Sequence, residues 1–238
     1  MTMQEAIYKR RSTRDFDTQP LSAEQLADFE AFVNEKTRPL FPDIEFECKM
    51  VNGSVRGFFA VQAPHYMLFY SKKTEGYLPN TGFILQQLDL YLSAQGIGSC
   101  WLGVTKPGAG IGLPKKSGLQ YVVMLAIGKS KSTPYRTPDE FKRLTMEEIS
   151  TPADARLEPA RLAPSASNGQ PWQFVPGPEG FEVYCVPKRV LFADLNRIDI
   201  GIALAHLYIC NPDTFRFDST AQPAEERPGQ YYMGRVSI

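Results

Sequence analysis

The segment 162–174 restricts the fold of this chain more than any other, and its sequence is L-A-P-S-A-S-N-G-Q-P-W-Q-F. A helical run leads into it, and Pro164 biases the preceding residue away from the helical region, so the helix is predicted to end there. The polar residues 165–169 are typical of a turn. Trp172 then opens an apolar strand after a second proline. The segment predicts a helix, a polar turn and a strand, and a plain helix-to-strand loop fits the same pattern.

Length and charge exclude several classes of partner. The 238 residues can form one large domain or two small ones, and 43% of them are hydrophobic, which is ordinary for a globular protein. The 26 basic and 26 acidic residues give a formal net charge of zero. A balanced charge argues against a nucleic acid or an anionic membrane as the main partner. The longest apolar runs are also too short to cross a bilayer.

The cysteines and histidines limit the chemistry. The four cysteines form no C-x-x-C pair and no signal peptide is recognised, so we predict free thiols in the reducing cytoplasm. Two histidines leave little material for a His-rich metal site or a Ser-His-Asp triad, and no metal is predicted. His206 lies inside an apolar helical run and is predicted to be a core residue. The chemistry is therefore expected to belong to a cofactor.

A dense group of cations lies near the N-terminus, where a predicted short helix at 3–9 runs into R-R-S-T-R at 10–14. Three guanidinium groups with two hydroxyl groups form a donor array that suits an anion, most plausibly a phosphate. A solvated basic patch at a helix C-terminus is the alternative. Further cations, Lys129, Lys131 and Arg136, follow a predicted central strand.

Helices and strands are predicted in the same order twice. The apolar helices 81–94 and 198–209 each follow two predicted strands and precede another. The strands are predicted at 44–51, 66–70 and 119–127 in the first half, and at 172–175, 181–186, 215–217 and 231–238 in the second. This order predicts an α+β fold with two similar lobes, residues 1–150 and 151–238, related by internal duplication.

A glycine-rich run, G-I-G-S-C-W-L-G at 96–103, ends the first of these helices. Gly96 is typical of a helix C-terminus. Because the glycines follow a helix rather than a strand, a dinucleotide-binding loop is disfavoured. On its own, the run predicts a plain turn.

Three segments of the chain resemble the FMN-dependent nitroreductase family. Residues 163–174 are similar to its A-P-S-x-x-N-x-Q-P-W-x-F signature, residues 10–16 to its R-R-S-x-R-x-F, and residues 96–103 to its G-x-G-[ST]-x-W-x-G. Ordinary members dimerise and share two flavins across the interface. Here the first half lacks the A-P-S motif and the second lacks R-R-S-x-R, as in a fused dimer that has lost one flavin site. The chain therefore resembles the single-chain, duplicated branch of the family.

The resemblance implies a mixed sheet flanked by helices, a pseudo-dimer within one chain, and one FMN bound noncovalently between the lobes. The implied cofactor-binding residues are Arg10, Arg11, Ser12, Arg14, Leu102, Gly103, Val104, Arg136, Pro164, Ser165, Ala166, Asn168 and Gln170. The choice among Lys129, Lys131 and Arg136 for the flavin phosphate stays open. Asn168 can instead hold its own turn, and Trp172 is predicted to pack in the core.

The implied reaction is two-electron transfer from NAD(P)H through FMN to a nitroaromatic, a quinone or a similar small acceptor. No catalytic side chain is expected; the backbone of Gly103 and Val104 is predicted to lie near the flavin N5. One alternative is an FMN storage or sensor protein without efficient turnover. Another is a different flavin reaction on the same scaffold, such as reductive dehalogenation. Residues 51–61 are the candidate lid.

Overall fold

The structure is a computed structural model that describes residues 1–53, 55–57, 59–109, 111–188 and 193–238. It has the α+β fold that the sequence predicts. The helices are α1 (Met3–Ile7), α2 (Ala23–Ala31), α3 (Tyr77–Ala94), α4 (Met146–Ile149), α5 (Glu158–Arg161) and α6 (Ala193–Cys210). The strands are β1 (Phe46–Val51), β2 (Val55–Arg56), β3 (His65–Ser71), β4 (Gly98–Leu102), β5 (Lys106–Pro107), β6 (Gln120–Gly128), β7 (Trp172–Gly177), β8 (Gly180–Cys185), β9 (Arg216–Asp218) and β10 (Tyr231–Ser237).

Each half of the chain builds a four-stranded sheet. The first sheet has the order β1-β3-β6-β4 and the second has the order β7-β8-β10-β9. All neighbouring strands within these two sheets run antiparallel. Among the described residues, parallel pairing occurs at two isolated bridges, Ser12 with Ser99 and Ser150 with Phe174. The two halves thus share one strand order, which agrees with the predicted duplication, although the duplication and the boundary near residue 150 stay predictions.

The long helices α3 and α6 pack against each other through a reciprocal glycine contact. A Cβ at Gly82 would lie 2.0 Å from the Ile198 carbonyl oxygen, and a Cβ at Gly201 would lie 1.9 Å from the Pro79 carbonyl oxygen. Each glycine therefore lets one helix backbone touch the other. Contacts that are exchanged in this way are typical of a two-fold interface between identical subunits.

The apolar core is continuous across this helix pair and reaches both sheets. Phe83 and Leu88 of α3, Leu204 of α6, and Phe174 of β7 are all fully buried within it. Trp172 belongs to the same core and is 2% exposed, so its predicted packing role is confirmed. None of the described helices is both long and apolar enough to cross a membrane.

Several element boundaries differ from the predicted ones. The glycine-rich run at 96–103, predicted as a turn, contains β4, because residues 98–102 pair with β6. Helix α2 continues as a π-helical turn, Phe32–Lys36. The helical run predicted before residue 162 begins as a 3₁₀ turn, Ala155–Leu157, before α5. The first of these differences has a clear reason: a short strand is defined by a partner that lies far away in the sequence.

Candidate functional site

A cleft of about 460 Å³ opens between the two halves of the chain. The three sequence motifs meet there. The lining residues that the motifs predict are Ser12, Arg14, Leu102, Gly103, Val104, Pro164, Ser165 and Ala166. The remaining wall is mostly apolar and includes residues from β4, β6 and α6, namely Cys100, Trp101, Val123, Leu195, Ile198, Asp199 and Ile202.

The N-terminal motif reaches the cleft as an extended segment. Its Thr13 N–H donates to the Ser99 carbonyl on β4 at 2.8 Å, and the Arg136 N–H donates to the Lys9 carbonyl at 2.8 Å. A Cβ at Gly98 would lie 2.6 Å from the Thr13 Oγ1, so the glycine lets this segment lie against β4. The predicted helix at 3–9 ends at residue 7. The arginines are therefore held by strand-like contacts rather than by a helix end.

Arginine side chains crowd one side of this segment. Burial, reinforced by the charges of Arg10, Arg11 and Arg14, lowers the pKa of Arg136 to about 10. Burial also lowers the pKa of Arg143 to about 10, and the charges of Arg10, Arg136 and Arg161 lower it further. The Arg136 Nε is buried without a hydrogen-bond partner. Cations that lower the pKa of a neighbouring arginine in this way form a site of excess positive charge, which an anion would neutralise.

The predicted cations have different partners. Arg10 is 1% exposed and does not line the cleft; its Nε lies 2.8 Å from the buried Asp89 carboxylate. Arg11 forms an ion pair with Glu140 at 2.5 Å. Lys131 forms an exposed ion pair with Asp15. Arg136 is close enough to Arg10, Arg11 and Arg14 for their charges to lower its pKa, and these four residues are called the arginine cluster below.

The turn after Pro164 is held in an unusual conformation. Ser167, Asn168 and Gln170 have φ values of 52°, 55° and 48°. Left-handed backbone at non-glycine residues is uncommon, and it clusters at functional sites because the surrounding structure must hold it. The Gln170 N–H donates to the Ser165 Oγ at 2.9 Å. The local sequence predicts a turn here, whereas this strained form depends on contacts from elsewhere.

Asn168 and Gln170 provide those contacts. The Arg143 guanidinium donates to the Asn168 Oδ1 at 2.7 Å, and the Leu144 N–H donates to the Gln170 Oε1 at 2.9 Å. Neither side chain lines the cleft. The Asn168 side chain thus ties its turn to residues 142–143 and fixes Arg143, a cation that the sequence motifs do not include.

Gly103 and Val104 follow β4 at the wall of the cleft. A Cβ at Gly103 would lie 2.9 Å from both terminal methyl carbons of Leu195 on α6, so the glycine allows the two halves to approach closely. Val104 is 40% exposed. Phe59, in the predicted lid, also lines the cleft, is 85% exposed and has a φ of 59°. The mouth of the cleft therefore carries exposed apolar side chains.

A buried polar network lies behind the cleft. Asp89 accepts from Ser99 and from the Gln86 side-chain amide, the latter at 2.9 Å, and is the ion-pair partner of Arg10. The Gln86 amide also lies 3.1 Å from the His206 Nε2, while the His206 Nδ1 lies 2.8 Å from the Pro159 carbonyl. Because a carbonyl can only accept, Nδ1 carries the hydrogen and Nε2 is the acceptor. Burial lowers the pKa of His206 to about 3, so this residue is neutral. His206 is fully buried, and its predicted core role is confirmed.

Replacing His206 with Ala is expected to destabilise the protein without weakening ligand binding. The change leaves the Pro159 carbonyl and the Gln86 amide unpaired in the core and creates a cavity, which should lower the free energy of unfolding by about 2–5 kcal/mol. Urea denaturation measures this loss, and the ligand affinity of the folded variant is the control. An unfolding free energy equal to that of the parent would contradict the assignment.

Asp199 also lines the cleft, and it is a charged lining residue that the sequence motifs did not predict. Its only signal is one carboxylate within the apolar helical run I-D-I-G-I-A-L. Within the described residues, no group of His, Cys, Asp and Glu side chains is arranged to hold a metal ion.

Comparison with known proteins identifies the family. A family model described as "Putative TM nitroreductase" matches residues 2–211. The "putative nitroreductase" of Thermotoga maritima MSB8 has a similar structure, with a TM-score of 0.63, 21% identity, and coverage of 100% of this chain and 95% of that chain. A nitroreductase family protein of Clostridium difficile 630 matches with a TM-score of 0.48 and 18% identity, covering 63% of this chain and 96% of its own. The comparison with curated proteins gives no match. The family match spans nearly the whole chain, and this protein therefore belongs to the TM nitroreductase family.

Proposed function

We propose that this protein binds one FMN noncovalently in the cleft and passes two electrons from NAD(P)H to a small acceptor such as a nitroaromatic or a quinone. The observation that carries the proposal is the arginine cluster beside a mostly apolar cleft. FMN combines a terminal phosphate with a flat ring system, and the two parts of the cleft suit these two groups.

The phosphate is assigned to the arginine side of the cleft. Arg14 and Ser12 line the cleft. The buried Arg136 Nε has no hydrogen-bond acceptor among the described residues, and a phosphate oxygen would supply one. A dianionic phosphate would also relieve the repulsion between neighbouring guanidinium groups. In the part of the chain that the structure describes, no glycine-rich loop leads from a strand into a helix to hold a pyrophosphate, and this favours FMN over FAD. In this proposal Arg143 adds a cation to the arginine cluster, and Asn168 holds it in place.

The flavin ring is assigned to the apolar part of the cleft. Gly103 and Val104 would lie on one side of the ring, and Pro164, Ser165 and Ala166 on the other. A backbone N–H from residues 103–104 is proposed to face the flavin N5, since a fixed donor can stabilise charge without a titrating side chain. FMN supplies the electron-transfer chemistry when bound, while the protein binds, orients and shields it.

Anaerobic reduction tests the proposed function. The purified protein is loaded with FMN and mixed with NADH or NADPH in the absence of oxygen, and the flavin absorbance is followed. Bleaching, followed by recovery when a quinone or a nitroaromatic is added, is the expected result. Bound flavin that stays oxidised with both nicotinamides would contradict the oxidoreductase and indicate a storage or sensor protein. Failure to bind FMN at all would overturn the whole proposal.

The stoichiometry is expected to be one FMN per chain, within a single chain. All three motifs meet in one cleft of one chain, so no partner subunit is required to complete the site. The corresponding turn of the first half reads R-P-L-F-P at 38–42, without the polar residues of the A-P-S motif. Equilibrium titration followed by size-exclusion chromatography with light scattering measures both quantities. Two flavins per chain, or binding only by a dimer, would contradict the fused-dimer interpretation.

A further inference from the structure

Asp199 is a carboxylic acid built into the wall of the cleft. It lies on α6, lines the cleft and is 2% exposed. Its two carboxyl oxygens lie 3.0 and 3.2 Å from the Ala166 amide nitrogen, which donates to them from the A-P-S turn. Ile198 and Ile202, which lie on the same helix, line the cleft beside it. The carboxyl group thus lies in apolar surroundings at the place proposed for the edge of the ring.

The electrostatic surroundings favour the uncharged form of this group. Burial raises the pKa of the Asp199 carboxyl well above its usual range, and the hydrogen bond from Ala166 opposes that rise. No Lys or Arg of the described part of the chain forms an ion pair with it. Among the described residues, the other titratable or charged groups nearby are Cys185 on β8, Cys100 on β4, Arg14 across the cleft, and Arg197 and Asp194 on α6. Burial raises the pKa of both thiols, to about 12 for Cys185, so they stay protonated at neutral pH.

In the first half of the chain, the corresponding turn is held by a side chain that is not an acid. Asn80 precedes Gly82 by two residues, as Asp199 precedes Gly201 by two residues. The Asn80 Oδ1 accepts hydrogen bonds from the N–H groups of Leu40 and Phe41 at 2.8 and 3.0 Å. These two residues follow Pro39, as Ala166 follows Pro164. A neutral amide therefore suffices to hold this kind of turn. The property that Asp199 adds is a proton that it can hold and donate.

We propose that Asp199 carries a proton at neutral pH and donates it in a hydrogen bond to the ligand beside the Ser165–Ala166 turn. The ligand class is a flat heteroaromatic ring with a carbonyl oxygen or ring nitrogen as acceptor. If the proposed function holds, that ring is the flavin. A neutral acid in an apolar wall can donate such a bond, whereas a carboxylate there would repel an electron-rich acceptor atom.

The matched variant is Asp199→Asn, which keeps an oxygen acceptor for the Ala166 N–H but cannot titrate. FMN affinity is measured against pH for the parent and the variant by flavin fluorescence. If the acid donates to the ligand, binding raises its pKa further. Parental affinity is then highest at low pH and declines by up to about tenfold per pH unit above the pKa of the free protein. Riboflavin is a second probe, because the phosphate of FMN also titrates, near pH 6. The parent and the variant are expected to differ in the pH dependence of their affinity for both FMN and riboflavin.

Infrared difference spectra between the parent and Asp199→Asn test the proton directly, because a purely structural role of Asp199 does not require a protonated acid that responds to the ligand. At neutral pH the parent should show the C=O band of a protonated carboxylic acid, and that band should shift when FMN is added. Parallel pH curves for the two proteins would overturn the proposal, as would the lack of an acid band. If the variant does not fold, the shift of the C=O band when FMN is added to the parent tests the proposal by itself. The two proposals fail differently: absent FMN binding by the parent removes the proposed function, whereas normal binding with parallel curves removes only the role of Asp199.

Discussion

Replacing Arg14 with Ala is expected to weaken FMN binding about 10- to 150-fold, because the change removes a charge-assisted hydrogen bond to the phosphate of about 1.5–3 kcal/mol. Arg14 is the arginine of the N-terminal motif that lines the cleft. Fluorescence titration with FMN measures the effect. Arg10 is a poorer test, because its loss would leave the buried Asp89 carboxylate without its ion-pair partner and destabilise the fold by about 3–5 kcal/mol.

Two controls make the Arg14 result specific. Riboflavin lacks the phosphate, so its affinity should be the same for the parent and for Arg14→Ala. Lys131→Ala removes a cation of the adjoining segment whose ion pair with Asp15, at 3.0 Å, is exposed, and it should leave FMN affinity nearly unchanged. Equal FMN affinity of Arg14→Ala and the parent would remove the phosphate assignment. An equal loss for FMN and riboflavin would mean that Arg14 shapes the cleft rather than binding the phosphate.

Replacing Gly201 with Ala is expected to lower the free energy of unfolding by about 3 kcal/mol or more. This loss is at the upper end of the range that is typical when a core is overpacked. The new Cβ would lie 1.9 Å from the Pro79 carbonyl oxygen, so α3 and α6 must move apart. In an exposed helix interior the same change raises the free energy of unfolding by about 1 kcal/mol. A lower free energy of unfolding would therefore be due to the close contact between the helices. In a chain of this size the melting temperature should fall by roughly 6–12 °C. Thermal and urea denaturation measure the two quantities.

The reciprocal contact provides an internal check on this prediction. Gly82→Ala should destabilise to a similar extent, because its Cβ would lie 2.0 Å from the Ile198 carbonyl oxygen. Gly177→Ala is the matched control, since its Cβ would lie 3.9 Å from the nearest atom, the Gly180 oxygen, and stability should change by less than about 0.5 kcal/mol. A Gly201→Ala protein as stable as the parent would show that the helices tolerate separation.

Both experiments address how the two halves make one site. The Arg14 variant tests the chemistry at one end of the cleft, and the glycine variants test the helix pair that carries Asp199 into its wall. A folded Gly201→Ala protein with weakened FMN binding would link helix spacing to the geometry of the cleft. The two sets of variants thus separate loss of a ligand contact from loss of the scaffold.

Local chemistry explains what could be predicted from the sequence alone. The central helices follow from apolar periodicity, and the strands β7 and β8 follow from turn residues between apolar runs. The resemblance of three motifs to the nitroreductase family implied Arg14, Gly103 and Ser165 as site residues, and all three line the cleft. A motif keeps its donors and its turn residues within a few positions, so its chemistry can be recognised without knowing what it packs against.

The tertiary structure decided what depends on partners far away in the chain. β4 is a strand because β6 pairs with it, and Arg10 is buried because Asp89 of α3 forms its ion pair. Asn168 and Gln170 bond to residues 142–144 rather than lining the cleft because that segment passes beside their turn. Asp199 becomes part of the site only when α6 is packed against the other half. Hydrogen bonds and ion pairs act over a few ångströms in space, whatever the separation along the chain, and so a local pattern records which groups a residue carries but not which groups it meets.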